Sequence, residues 1–540
     1  MGRSRLKIPT MMNRQESLRR ISDRSRPWDL AVIGGGATGI GIALDAASRS
    51  LDVLLVERSD FGKGTSSRST KLVHGGVRYL EQGNLTLVRD ALRERTLLRR
   101  NAPLLVHDLP FFIPCRSRWQ RFYFWVGLKL YDLLAGNGPF GRSHAIDAGV
   151  ATSRLPTLRP ETHRGGVIYH DGQFDDCRLL IHMARTATAQ GACLINYAVA
   201  TAIEKDDQGQ VCGLTFHDAE SASDHRVNAR CVINATGPFS DAVARMENPD
   251  SPPQVAASQG VHVVLPRRFF PGSTALIVPR TSDGRVLFLI PWRDHIIVGT
   301  TDTPIPDAIE EPTAQDQEIE FLLRTAAEYL TLPPNRGDVT SVFTGIRPLV
   351  KDDRSARTAS LSRDHAISVA ASGLITIRGG KWTTVRKMAE DCVDAAIRSV
   401  GLTAGPCQTR DLPLHVLPMR ASAGETAPDS VGRFESPDQE SLDLLTLENP
   451  GFEETPPALP GLRRAEVVWA ARHEMARTVE DVLARRTRWL FLDSQACLVA
   501  APQVAQWLAE ELGRDEAWRL AQVEIFGQIA AHYVCPFATS

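Results

Sequence analysis

The chain has 540 residues, 43% of them hydrophobic, and a formal net charge of -1. That length suits roughly three domains of about 150 residues, and the near-neutral balance excludes nucleic-acid binding through overall charge. None of the nine cysteines lies in a CxxC pair, which reads as a reduced, cytosolic chain with neither a disulfide framework nor a metal site.

Residues 1–27 are polar and Arg-rich without an apolar core, so they are no secretory signal and read as a disordered basic leader. No uninterrupted apolar run reaches the roughly 18 residues that would suggest a membrane span. Residues 29–33 read as a buried parallel strand, 39–50 as a helix and 52–56 as a second buried strand, together a βαβ unit. Between 116 and 131, Arg116, Arg118, Arg121 and Lys129 mix with Trp119, Phe122, Tyr123, Trp125 and Tyr131. This is either a core helix with a basic cap or a helix lying in a membrane interface, and we favour the second. Residues 227–234 form another strand, and 286–290 with 296–299 form an antiparallel hairpin within a β-rich stretch. A last strand at 374–377 runs through Gly379 and Gly380 into a helix over 383–400. Residues 401–460, rich in Pro, Gly, Ser and acidic residues, read as a linker or loosely packed bridge. From 461 to 540 the pattern is helical, with a capping box starting at Thr478.

The expected fold is therefore α/β. A discontinuous Rossmann-like nucleotide-binding domain (28–400) carries an inserted antiparallel β substrate region at about 256–345, followed by a C-terminal helical domain.

Gly34-Gly35-Gly36-Ala37-Thr38-Gly39 matches GxGxxG between strand and helix, with Glu57 ending the second strand. Gly34 permits the tight turn, Gly36 the approach of a pyrophosphate, and Gly39 close helix–strand packing. The helix N-terminus favours the diphosphate charge, and Glu57 accepts from ribose hydroxyls and disfavours a 2′-phosphate. The motif implies a dinucleotide without separating FAD from NAD.

The run from Gly64 through Thr65, Ser66, Ser67, Ser69, His74, Arg78 and Tyr79 to Glu81 closely resembles the signature of FAD-dependent glycerol-3-phosphate dehydrogenases, within the D-amino-acid-oxidase-like flavoproteins. Asn234–Pro238, Phe288–Trp292, Gly299–Asp302, Gly345–Leu349 and Gly379–Thr384 agree with it, as does the C-terminal run from Glu474 to Arg486. The resemblance covers about 28–400 and 461–535. Two departures stand out. Gln259-Gly260-Val261-His262 replaces a common Lys-Gly-Ser-His, altering charge near the substrate, and Trp382 replaces a smaller residue, altering packing under the flavin.

The resemblance implies hydride transfer from C2 of sn-glycerol 3-phosphate to FAD, giving dihydroxyacetone phosphate in glycerol and glycerophospholipid catabolism. It implies a phosphate clamp of Arg78, Arg347 and Lys381 with Tyr79 as hydroxyl donor. His262 contacts substrate, and either His262 or His74 takes the proton. Arg347 also polarises the reacting oxygen. Thr65, Ser66, Ser67, Ser69, Thr236, Gly237, Gly380 and Lys381 join Gly34, Gly36, Gly39 and Glu57 around the cofactor. Electrons pass to a quinone, placing the protein peripherally on the inner face of the cytoplasmic membrane; a homodimer is a further expectation. The alternatives are an oxidase using molecular oxygen, an amine or amino-acid oxidase, and a flavin-binding protein without catalysis.

Overall fold

The computed structural model describes residues 12–77, 80, 83–136, 138, 140–351, 365–414 and 439–536. Apolar runs covered on both faces form the first sheet, as a parallel strand needs no polar alternation. Trp28–Ile33 pairs in parallel with Val53–Val56 on one side and with the end of Ser223–Asn234 on the other. Cys193–Ile195 extends it on one side and Ile375–Gly379 on the other, so five distant segments form the parallel part of an eight-stranded sheet. Helices Ala37–Ser48, Asp176–Ala189 and Val385–Val400 cover it, burying Ile40, Ala43, Leu180, Ala389 and Val393.

In the second sheet, Val255–Pro266 runs antiparallel to Ser341–Val350 and to His295–Gly299, and the expected hairpin forms between Leu287–Trp292 and His295–Gly299. This sheet extends beyond the expected 256–345 region. It also recruits Leu72–Val73, Val106–Pro114, His144–Ile146 and Gly166–Phe174. Its apolar face needs that extra width: Phe112 and Ile168 from the early strands share one buried cluster with Leu276, Leu289 and Val298.

Two stretches are more ordered than composition suggested. Residues 12–27 are no disordered leader. Arg14–Ser22 is a helix, Met12 is buried, and the Arg14 guanidinium pairs with Asp218 while donating to the Asn196 carbonyl. The charge that suggested a leader meets partners about two hundred positions away, which composition cannot register. Residues 1–11 lie outside the described residues. At the start of the expected linker, Thr409 Oγ1 donates to Asp45 at 2.9 Å and Leu414 N–H to the Asn101 carbonyl at 2.8 Å. At its far end Gln439–Glu448 is helical.

The C-terminal unit closes around Val504, Leu508 and Phe526 and reaches Trp292 and Phe343 of the second sheet. The Thr478 capping box forms, with Asp481 N–H donating to Thr478 Oγ1 and Thr478 N–H to Asp481 Oδ2. The turn that follows, Asp481–Arg486, is π-helical and wholly buried.

Among the described residues no helix is long and apolar enough to cross a membrane. Helix Arg118–Ala135 nevertheless turns Trp119, Phe122, Tyr123, Val126, Leu130 and Leu133 to the outside. Spacings of three and four place them on one stripe. Trp119 and Leu133 are 76% and 75% exposed, and only Leu128 and Tyr131 are buried, so this is no core helix.

Candidate active site

The helix Ala37–Ser48 touches the strand before it because two glycines meet there. Gly34 has φ +109°, a left-handed value that favours glycine, and a Cβ on Gly39 would overlap the Gly34 carbonyl. One cleft runs from Glu57 past Gly34, Gly36 and Thr38, between Thr65 and Ser66 and the opposite Thr236–Gly237, to Gly380, Lys381, Trp382 and Pro348. The helix N-terminus opens onto it, a setting that favours an anionic diphosphate. Glu57 accepts N–H groups from Gly35 at 2.5 Å and Ser59 at 2.9 Å. Burial raises its pKa although those bonds oppose the shift. A carboxylate has about four lone-pair sites, so ribose hydroxyls can still donate to it. Thr236 Oγ1 donates to Asn234 at 2.7 Å, fixing the turn that presents Gly237. A cleft with an acid at one end, a helix N-terminus midway and a lysine at the other fits an extended dinucleotide such as FAD.

The four hydroxyls expected at the cofactor divide. Thr65 and Ser66 line the cleft. Thr65 Oγ1 donates to the Ile346 carbonyl at 2.6 Å, and Ser66 Oγ accepts from Ala37 N–H at 2.9 Å. Ser67 and Ser69 do not line it. Ser67 is buried, with its carbonyl taking Lys71 and Arg488, and Ser69 gives both its N–H and its hydroxyl to Asp176. The tight turn Thr65–Ser67 carries the chain into the interior at this point. Trp382 lines the cleft, donates from Nε1 to the Ser66 carbonyl at 2.9 Å and meets Phe174 edge-on, tying together the two segments that flank it.

His262 and Arg347 come together on the second sheet. The register pairs His262 with Phe343 and Ser258 with Arg347. Phe343 and Arg347 are four apart on one strand, hence on the same face. His262 stacks on Phe343 with ring centroids 4.6 Å apart. Its Nε2 lies 3.0 Å from Thr70 Oγ1, and its buried Nδ1 has no hydrogen-bond partner among the described residues. Burial, and then the charges of Lys71 and Arg347, hold its pKa well below the ordinary histidine value, so the imidazole is neutral. Arg347 is gripped from several sides: Asp302 at 3.0 Å, Thr300 Oγ1 at 3.1 Å and the Thr301 carbonyl at 3.0 Å. Ser258 Oγ donates to the same Asp302 carboxylate. The guanidinium lies across Gly260, where a Cβ would collide with it.

Lys381 lines the cleft at the start of the turn Trp382–Thr384. His74 does not line it; its backbone N–H and carbonyl both bond Thr383 Oγ1. Arg78 and Tyr79 lie outside the described residues. Gln259, at the lost lysine position, is buried and donates to Glu318 at 2.6 Å. Sequence reasoning assigned no role to Thr70, Asp302, Asp176 or Arg488. The first two stand inside quoted motifs, so a search for hydrogen-bond partners of His262 and Arg347 could have reached them. The last two carried no local signal.

Comparison with known proteins agrees with this geometry. Residues 29–386 match the family described as FAD dependent oxidoreductase, and 443–519 match the C-terminal domain of alpha-glycerophosphate oxidase. The chain is 40% identical over 533 residues to the mitochondrial glycerol-3-phosphate dehydrogenase of Homo sapiens, covering 92% of this chain and 72% of that protein. It is 39% identical to the mitochondrial glycerol-3-phosphate dehydrogenase of Arabidopsis thaliana, covering 93% and 86%. Among solved structures, the glycerol-3-phosphate dehydrogenase of Bacillus halodurans complexed with FAD superposes with a TM-score of 0.75 at 27% identity, over 98% of this chain and 99% of that one.

Proposed function

The chain belongs to the FAD-dependent glycerol-3-phosphate dehydrogenase family, and from that premise we propose that it oxidises sn-glycerol 3-phosphate to dihydroxyacetone phosphate in glycerol and glycerophospholipid catabolism, passing electrons to a membrane quinone. The observation that carries this reading is the pairing of a neutral His262 with a fixed Arg347, next in sequence to Pro348, which lines the same cleft as Lys381.

FAD supplies the two-electron acceptor for the C2 hydride when bound. The residues do the rest. Lys381 and Arg347 supply cationic donors for a phosphate dianion and the reacting oxygen, with Arg78 and Tyr79 as further members of the clamp. Asp302 and Thr300 hold the guanidinium still, so its donors are oriented before substrate arrives. His262, uncharged at neutral pH, takes the hydroxyl proton at Nε2, the nitrogen that faces Thr70 just beyond the turn Thr65–Ser67. His74 is the reserve candidate for that proton.

The outward stripe of Trp119, Phe122, Tyr123, Val126, Leu130 and Leu133, with exposed Arg116 and Arg118 at its start, supports peripheral contact with a lipid surface. That contact suits a lipid-soluble acceptor and a place on the inner face of the cytoplasmic membrane.

Anaerobic addition of glycerol 3-phosphate should bleach the yellow flavin, while glycerol, glycine and D-alanine should not. No bleaching by the phosphate compound would overturn the assignment. Bleaching followed by stoichiometric peroxide in air, without reduction of a quinone, would move the enzyme to the oxidases.

A further inference from the structure

The cleft-lining segment from Gly62 to Ser66 is tethered at both ends, and the tethers come from the C-terminal unit. At one end Asp60 is fully buried. Arg485 Nε reaches it at 2.5 Å, and both terminal nitrogens of Arg486 reach it at 2.7 and 2.8 Å. In the middle Lys63, itself a cleft residue, donates to Glu480 at 2.9 Å. At the other end the Arg488 Nη2 donates to the Ser67 carbonyl at 2.7 Å and to Asp176 at 2.9 Å. Asp176 in turn receives Lys71 at 2.7 Å and both donors of Ser69. Arg488 is fully buried and sits at φ +70°. Arg485 and Arg488 stand more than 400 positions along the chain from Asp60 and Ser67.

We propose that Arg485, Arg486 and Arg488 are positioning residues for the flavin nucleotide, so that the C-terminal unit completes the FAD site from behind without touching the cofactor. The rest of the fold holds this segment through Gly62 N–H to the Gly35 carbonyl, Thr65 to Ile346 and Trp382 to Ser66, and the C-terminal arginines add the charged donors at Asp60 and Ser67. The segment has one tight turn, and Gly62 and Lys71 both take positive φ. Removing Arg488 leaves Lys71, among the described residues, as the one charged donor shared by the Ser67 carbonyl and the buried Asp176 carboxylate, and the segment relaxes to recover partners.

The test compares full-length Arg488→Met, Arg488→Lys and Leu508→Ala proteins. Leu508 is buried in the C-terminal core and makes none of the tethering hydrogen bonds, so its truncation destabilises that unit without removing a tether. FAD affinity is read from the flavin fluorescence that appears on release, together with the visible flavin spectrum, and no substrate is needed. Arg488→Met should bind FAD about tenfold or more weakly, the scale of one charge-assisted hydrogen bond, with a shifted spectrum, and Arg488→Lys should recover part of the loss. Leu508→Ala should keep FAD affinity and spectrum while unfolding at lower temperature. Arg488→Met matching the unsubstituted protein, or Leu508→Ala losing FAD as readily, would overturn the proposal. Should Arg488→Met not fold, Arg488→Lys set against Leu508→Ala decides in the same way.

Discussion

The Thr70 hydroxyl lies 3.0 Å from His262 Nε2. Thr70 follows the turn Thr65–Ser67, whose first two residues line the cleft, and His262 stands on the strand Val255–Pro266, so this one hydrogen bond joins the segment leaving the cleft to the candidate proton acceptor.

The low pKa of His262 gives a pH prediction. Burial and the nearby Lys71 and Arg347 charges depress it, so the imidazole stays neutral above its folded value, and falling pH first protonates it well below the ordinary histidine range. The acid limb of kcat/KM should therefore show no midpoint near the ordinary histidine value of 6.5. His262→Gln should lower kcat by about 10²- to 10⁴-fold, the usual contribution of a general base, with FAD still bound; unchanged kcat would remove His262 from the role.

Arg347→Lys should keep the charge and lose the grip. A lysine cannot reproduce the fork that meets Asp302, Thr300 and Thr301 together. We expect kcat/KM for glycerol 3-phosphate to fall by about 10²-fold, in line with losing two charge-assisted hydrogen bonds, with the resting flavin spectrum unaltered. Steady-state kinetics with anaerobic spectra check both parts.

Gly39→Ala should purify without yellow colour. The added methyl overlaps the Gly34 carbonyl, and pushing helix from strand costs about 1–3 kcal/mol as overpacking. It also displaces the N-terminus that faces the diphosphate. A Gly39→Ala protein retaining full flavin would show that the turn has more slack than its geometry indicates.

Acid should loosen the C-terminal tethers. Burial alone would raise the Glu480 pKa, but Arg485 and Lys63 outweigh it and hold the carboxyl down at about 2. Its folded pKa lies below the unfolded value, so its stabilisation is fully present above about pH 4.5. That stabilisation is lost as pH falls towards about 2. Tm should drop through that window in thermal melts, and Glu480→Gln should show a flatter dependence there.

Replacing Trp119 and Leu133 together with Ser should abolish sedimentation with anionic phospholipid vesicles and leave soluble kcat unchanged, since neither touches the cleft. Persistent sedimentation of that variant would place the lipid contact elsewhere.

Much of the first sheet was legible because its signals are local. Gly34 and Gly39 meet within one short turn, and the apolar runs around them read as buried strands without knowledge of their neighbours. The Arg347 and His262 candidates came from motif resemblance, which carried residue identity but not partners. Ser67 and Ser69, expected at the cofactor, do not line the cleft, because a hydroxyl beside a glycine turn carries no mark of which way the turn rotates it. Residues 12–27 were misread for a related reason: an arginine that will be buried against Asp218 has the same composition as one in solvent.

From the sequence alone came the dinucleotide turn, the acid at Glu57 and the strand–helix–strand unit around them, since backbone sterics and hydrophobic period act over a few residues. The tertiary structure alone decided that Asp60 meets Arg485 and Arg486, that Arg488 reaches Ser67, and that the Trp119 stripe faces outward. Those outcomes depend on which distant surfaces close over one another. Pairing of buried charge is a property of that closure, not of any segment that takes part in it.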